Sequence, residues 1–269
     1  MKSIREIYKI GKGPSSSHTM GPERAAKLFK KDYPQADAYK VILFGSLSKT
    51  GIGHGTDAVI KEVLSPTPTE IVFSEEELVG YHPNTMDIIA YDEEGEMARR
   101  RFYSIGGGEI IADGELPDKH SEVYDLNSFT DISRYCRERE MRIWQYVEER
   151  EGAQIWEYLE QVWDVMQQAV KDGLEAEGIL HGGLGIQRKA GLYLLKSRSY
   201  SASVASKAKI YAYALATSEE NASGTTIVTA PTCGASGVLP TRGALPPVAI
   251  ARKQRGTHIA CTCHSGPIW

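Results

Sequence analysis

The sequence predicts an α+β fold: an N-terminal α/β sandwich-like domain over residues 1–125, followed by a mainly helical domain. Short helical and strand-like runs alternate through the first 125 residues, and from about Ser128 the apolar residues recur at helical spacing. Between the two, Gly106-Gly107-Gly108 interrupts the pattern, and the boundary falls near residues 120–130. No internal repeat is visible.

Pro22 to Phe29 begins with proline near a helix N-terminus and continues Glu-Arg-Ala-Ala-Lys-Leu-Phe, a helical run. Lys40–Phe44 and Ile71–Phe73 read as short strands. Met86–Tyr91 and Arg100–Ile105 flank Asp92-Glu93-Glu94-Gly95, a hairpin turn. In the second half, Ser128-Phe129-Thr130-Asp131 has the form of a capping box. Ile155, Trp156, Leu159, Val162, Trp163, Met166 and Val170 mark one face of a long helix, a packed core face, with Gly173 as its stop. An Ala- and Tyr-rich helix follows over about Ser203–Ser218.

The 269 residues suffice for one large or two ordinary domains, and 41% hydrophobic with 25% charged residues is a globular composition. A net charge of -4 argues against a general nucleic-acid binder. No apolar run approaches the roughly 18 residues of a membrane span, and the first residues lack the apolar segment of a signal peptide. Four cysteines without framework spacing fit a reducing compartment. Together these predict a cytoplasmic enzyme with no nucleic-acid or membrane partner.

Two stretches carry the chemistry. Gly13-Pro14-Ser15-Ser16-Ser17-His18-Thr19-Met20-Gly21-Pro22 and Gly51-Ile52-Gly53-His54-Gly55-Thr56-Asp57 each place a histidine among Gly, Ser and Thr just before a helix start. A helix N-terminus attracts carboxylates and favours neutral imidazole, the form that abstracts a proton beside a bound carboxylate. In the second stretch the glycines allow close backbone approach, and Thr56 or Asp57 is expected to cap the following helix. His82 reads as a turn histidine, with Asn84 able to donate to a ligand. A third cluster runs Asn221-Ala222-Ser223-Gly224, a strand-like Thr225–Ala230, then Pro231-Thr232-Cys233-Gly234-Ala235-Ser236-Gly237, again with a helix start expected. Cys233 is open to two readings, a reactive or metal-binding thiol and a buried inert one. His181-Gly182-Gly183-Leu184-Gly185, ahead of Arg188-Lys189, reads as a structural turn, and Cys136 as packing.

The 13–22 segment, Gly-His-Gly-Thr-Asp at 53–57 and the 221–240 segment, in this order, resemble the iron–sulfur L-serine dehydratases of bacteria. The resemblance implies a β domain over 1–125 and the N-terminal part of a helical α domain over 126–240. It implies conversion of L-serine to pyruvate and ammonia with a [4Fe-4S] cluster, whose open iron acts as Lewis acid on the β-hydroxyl, and no pyridoxal phosphate. By the same resemblance His18 and His54 supply base and carboxylate contact, His54 being favoured as base. Ser15, Ser16, Ser17, Thr19 and Asn84 would line the substrate, and Asn221, Ser223, Thr232 and Gly234 would close it from the α side. The family's cluster cysteines are expected beyond the end of this chain, so no metal ligand is assigned, and Cys233 corresponds to none of them. A pyridoxal-phosphate enzyme would need a glycine loop to support a Schiff-base lysine, and Ser206-Lys207-Ala208-Lys209 has none.

The last stretch, 241–269, departs from this pattern. It holds no Asp or Glu, whereas residues 1–240 hold all 35, and Pro246-Pro247 interrupts the expected helix. It reads as an aberrant, frameshifted or prematurely ended tail, in which Cys261-Thr262-Cys263-His264 makes a weak metal motif. The expectation is therefore twofold: an L-serine dehydratase forming homo-oligomers or taking a complementing α chain, or an inactive or partner-dependent fragment lacking the cluster ligands.

Overall fold

A computed structural model describes residues 1–76, 78–115, 122–180 and 185–243. The elements run β1 (Ile10–Lys12), α1 (Gly21–Asp32), β2 (Ala38–Leu43), α2 (Gly45–Thr50), α3 (Thr56–Leu64), β3 (Thr69–Phe73), β4 (Thr85–Asp92), β5 (Gly95–Gly106) and β6 (Glu109–Ala112). They continue α4 (Phe129–Glu138), α5 (Ile143–Glu151), α6 (Ile155–Glu175), α7 (Ala190–Ser197), α8 (Ala202–Ala222), β7 (Thr226–Val228) and α9 (Pro240–Gly243). The chain forms two compact units, one of residues 12–118 and one in which residues 1–11 join the chain from 119 onward.

In the 12–118 unit a five-stranded sheet has the order β3-β2-β4-β5-β6. β2 and β3 are parallel, joined through α2 and α3, and the other pairs are antiparallel. Strand β2 alternates buried and half-buried residues, which sends Tyr39, Val41 and Leu43 to the core. They meet Met86, Ile88 and Ala90 from β4, Phe102 from β5, Phe29 from α1 and Ile60 and Leu64 from α3. On the opposite face of β4, Asp87 is buried in a two-pronged ion pair with Arg101 (2.6 and 2.8 Å). The hairpin forms as expected, and Gly107 and Gly108, both at positive φ (56° and 72°), make the tight turn between β5 and β6.

In the other unit, β1 pairs with β7, and Ile4 and Tyr8 join Tyr124, Ile132, Tyr146, Ile155, Leu159, Val162 and Met166 in one core. Ser128 caps α4 by accepting from Asp131 N, as its motif predicts. Trp156 and Trp163 are half-buried against this core. Gly173 is not a helix stop. It lies inside α6, where a Cβ would sit 2.3 Å from the Ala216 carbonyl oxygen of α8, so its role is close helix packing. The helix start expected after Pro231 is a single 3₁₀ turn, Cys233–Ala235. Cys136 packs in the core as expected. The turn at 181–184 and the tail beyond 243, with Cys261, Cys263 and His264, lie outside the described residues. Among the described residues no helix is long and apolar enough to cross a membrane.

Candidate functional site

Within the 12–118 unit the two histidine loops meet. His18 lies in a π turn, Ser16–Met20, that runs directly into α1, and Ser15 caps this turn by accepting from His18 N at 3.1 Å. His54 closes a 3₁₀ turn, Ile52–His54, between α2 and α3. The two imidazole centroids are 4.7 Å apart with the planes inclined by 34°. The expected cap of α3 by Thr56 or Asp57 does not form: Gly55, in the left-handed region at φ 64°, makes the turn, and no side chain caps it.

The Thr56 hydroxyl instead donates to the His18 carbonyl at 2.6 Å, and the Thr19 hydroxyl donates to the His54 carbonyl at 2.8 Å. Both threonines are buried, so each histidine's backbone is held by a hydroxyl from the other loop. Around the His18 ring, Nδ1 is 2.9 Å from Ser17 Oγ and Nε2 is 2.9 Å from Ser46 Oγ. Ser15 Oγ lies 3.4 Å from Ser17 Oγ and extends the row of hydroxyls. Burial pushes the His18 pKa down, the neighbouring His54 pushes it further, and the Ser46 backbone opposes both.

His54 is held differently. Its Nδ1 is 2.9 Å from the Thr50 carbonyl, which can only accept. In the neutral ring the proton therefore sits on Nδ1, and Nε2 carries the basic lone pair.

Asn84, read as a substrate contact, donates from Nδ2 to the Ser104 carbonyl at 3.2 Å, and its N–H donates to His82 Nδ1 at 3.1 Å. His82 is thus a turn residue. Ser104, fully buried, donates to the Ser17 carbonyl at 2.7 Å and so ties β5 to the serine loop. Ser46, Thr50 and Ser104 were not among the sequence candidates. The first two had a readable signal, Phe44-Gly45-Ser46 at the strand-to-helix turn and Thr50 one helical turn later; Ser104 in mid-strand had none.

Asn221, Ser223, Thr232 and Gly234 lie in the helical unit. Ser223 Oγ donates to the Glu219 carbonyl at 2.8 Å and receives Arg188 Nη2 at 2.6 Å. Arg188 also pairs with Glu220 at 2.6 Å, with Glu220 buried and Arg188 largely so. Glu219 accepts from the N–H groups of Lys189 and Ala190 at the start of α7. Asn221 lies in the last turn of α8, half-buried, and Thr232 and Gly234 are exposed.

Cys233 is buried, and burial pushes its thiol up to about 11; burial raises Cys136 as well. A cluster ligand must be a thiolate. Among the described residues no group of three His, Cys, Asp or Glu could hold a metal ion. The described residues therefore do not fit an iron–sulfur cluster.

A family model described as serine dehydratase alpha chain matches residues 110–260, and one described as serine dehydratase beta chain matches residues 3–65 and 59–115. The chain is 32% identical over 292 residues to an L-serine dehydratase of Streptomyces coelicolor, covering 88% of this chain and 64% of that protein. It is 31% identical to L-serine dehydratase TdcG of Escherichia coli (89% and 65%) and 30% identical to an L-serine dehydratase of Haemophilus influenzae (89% and 65%). The chain thus spans about two thirds of the length of these relatives.

Proposed function

The chain belongs to the serine dehydratase family, and on that premise we propose that it binds L-serine at the paired histidines, with His54 as the base for the α-proton. The observation that carries this reading is the bond between His54 Nδ1 and the Thr50 carbonyl, which leaves Nε2 as the basic nitrogen. His18 has both ring nitrogens on serine hydroxyls, which leaves it no free basic nitrogen for the α-proton, so its part on the carboxylate side is to orient the serine loop through Ser17. Ser15, Ser16 and Ser17 open a turn whose first N–H groups have no partner in the helical ladder, the usual seat of a carboxylate. Removal of the α-proton and loss of the β-hydroxyl as water give aminoacrylate, which becomes pyruvate and ammonia on hydrolysis. The [4Fe-4S] cluster remains part of the proposal, with ligands outside the described residues of this chain or on a complementing α chain. We place the protein in the cytoplasm on the same footing.

The test is L-serine titration of the chain with ¹⁵N-labelled histidine rings, followed by anaerobic iron–sulfur reconstitution and a pyruvate assay. Serine should move the His18 and His54 ring signals and leave His82 in place. Serine that moves neither ring overturns the assignment of this site. Pyruvate formation by a reconstituted His54→Ala variant at the native rate overturns the base.

A further inference from the structure

We propose that Ser46 is a positioning residue, and that α2 holds both histidines of the site through two residues one helical turn apart. Ser46 Oγ meets His18 Nε2 at 2.9 Å, and the carbonyl of Thr50, four residues on, meets His54 Nδ1 at 2.9 Å. A rise of about 1.5 Å per residue puts such positions about 6 Å apart along the axis, a spacing that suits two rings with centroids 4.7 Å apart. The Thr50 hydroxyl donates back to the Ser46 carbonyl at 2.9 Å and joins the two points.

The helix is fixed where it begins. Gly45 adopts φ +52°, and a Cβ there would lie 2.5 Å from the Pro83 carbonyl oxygen, so the turn admits only glycine. Ser46 N donates to that same carbonyl at 2.8 Å, and Phe44 N donates to the Thr85 carbonyl at 3.0 Å. Fully buried Leu47 anchors the helix from below. Ser46 therefore reaches His18 from a backbone that cannot drift.

A hydroxyl on each ring nitrogen has a chemical consequence. Serine can donate or accept, so neutral His18 is satisfied in either tautomer and the imidazolium donates to both partners. The ring plane stays the same in every protonation state. Among the described residues, His54 is the charged or titratable group that bears on the His18 ring. Nothing in this role requires Ser46 to touch the substrate. The inference rests on the reading that the paired histidines are the serine site.

The experiment uses the full chain with ¹⁵N-labelled histidine rings, comparing native protein with Ser46→Ala and Ser46→Thr. In Ser46→Ala the His18 Nε2 signal should shift, because the ring loses the hydroxyl 2.9 Å from that nitrogen. The His82 signals and the amide spectrum should be unchanged, serine binding should weaken several-fold, and Ser46→Thr should restore the His18 Nε2 signal and the binding. His18 signals that are the same in Ser46→Ala as in native protein overturn the proposal, as does a threonine variant indistinguishable from the alanine one. If serine moves neither ring in native protein while Ser46→Ala still shifts His18, Ser46 stands as a positioning residue and the serine-site reading falls.

Discussion

The Thr19 hydroxyl donates to the His54 carbonyl at 2.8 Å, and Thr56 returns the contact on the His18 carbonyl at 2.6 Å. Both hydroxyls are buried and sit one and two residues from the histidine of their own loop. The loops therefore clasp each other through side chain and main chain, which frees the imidazoles from any structural duty toward one another. Thr19→Val or Thr56→Val should leave a buried carbonyl unsatisfied and cost about 1–3 kcal/mol. Amide exchange across residues 15–20 and 52–58 would read the loss. The Thr→Ser variants, which keep the hydroxyl, should lose markedly less.

His18 makes stability depend on pH. Its pKa in the folded chain lies below the ordinary 6.5, so below that value the unfolded chain binds the proton more readily. Stability from this group is complete above 6.5 and is lost as pH falls below it. Between pH 7.5 and 5, protection of the 12–115 amides should fall, and His18→Asn should flatten that part of the profile. Tryptophan fluorescence is the wrong probe, because Trp144, Trp156 and Trp163, the tryptophans among the described residues, all lie outside this unit.

Much of this arrangement was legible in the sequence because local physics decides it. The hairpin at 92–95, the Ser128 cap and the apolar face of α6 each rest on neighbours within a few residues, and each formed where expected. The site was legible only in part. His18 and His54 stood out through their Gly- and Ser-rich settings, but that Ser46 of α2 meets His18, and that Ser104 of β5 meets the Ser17 carbonyl, follows from tertiary packing between distant segments rather than from any local pattern. Thr56 was misread for a related reason. Sequence offers a threonine at a helix start as a cap, whereas tertiary contact with His18 takes its hydroxyl and leaves the turn to Gly55.

Gly173 shows how the same residue type supports opposite readings. A glycine near the end of an apolar stripe suggests a stop, yet here it lets α8 approach α6. Gly173→Ala should improve helix propensity by about 1 kcal/mol in isolation. In the folded chain the added methyl meets the Ala216 backbone, which cannot swing aside as a side chain would, so the net effect should be a loss of about 1–3 kcal/mol. Thermal unfolding followed by tryptophan fluorescence suits this unit, and a rise in Tm would contradict the packing role.

The buried pair of Asp87 and Arg101 bears on the same sheet that carries the site. Arg101 also lies over the rings of Phe44 and Tyr81, at 5.4 and 5.0 Å, and Phe44 immediately precedes the Gly45 turn. Asp87→Ala strands a partly buried guanidinium and should cost about 2–4 kcal/mol. Asp87→Ala with Arg101→Met should recover a large share, since no charge is then left unpaired. If Phe44 transmits the change, the single variant should also move the His18 ring signals through Ser46, whereas the double variant should return them toward native. A single variant that loses stability but leaves His18 untouched would confine the pair to the sheet. Paired measurement of unfolding and ring ¹⁵N shifts separates these outcomes, because stability alone responds to the ion pair and the His18 shift responds only if the Gly45 turn moves.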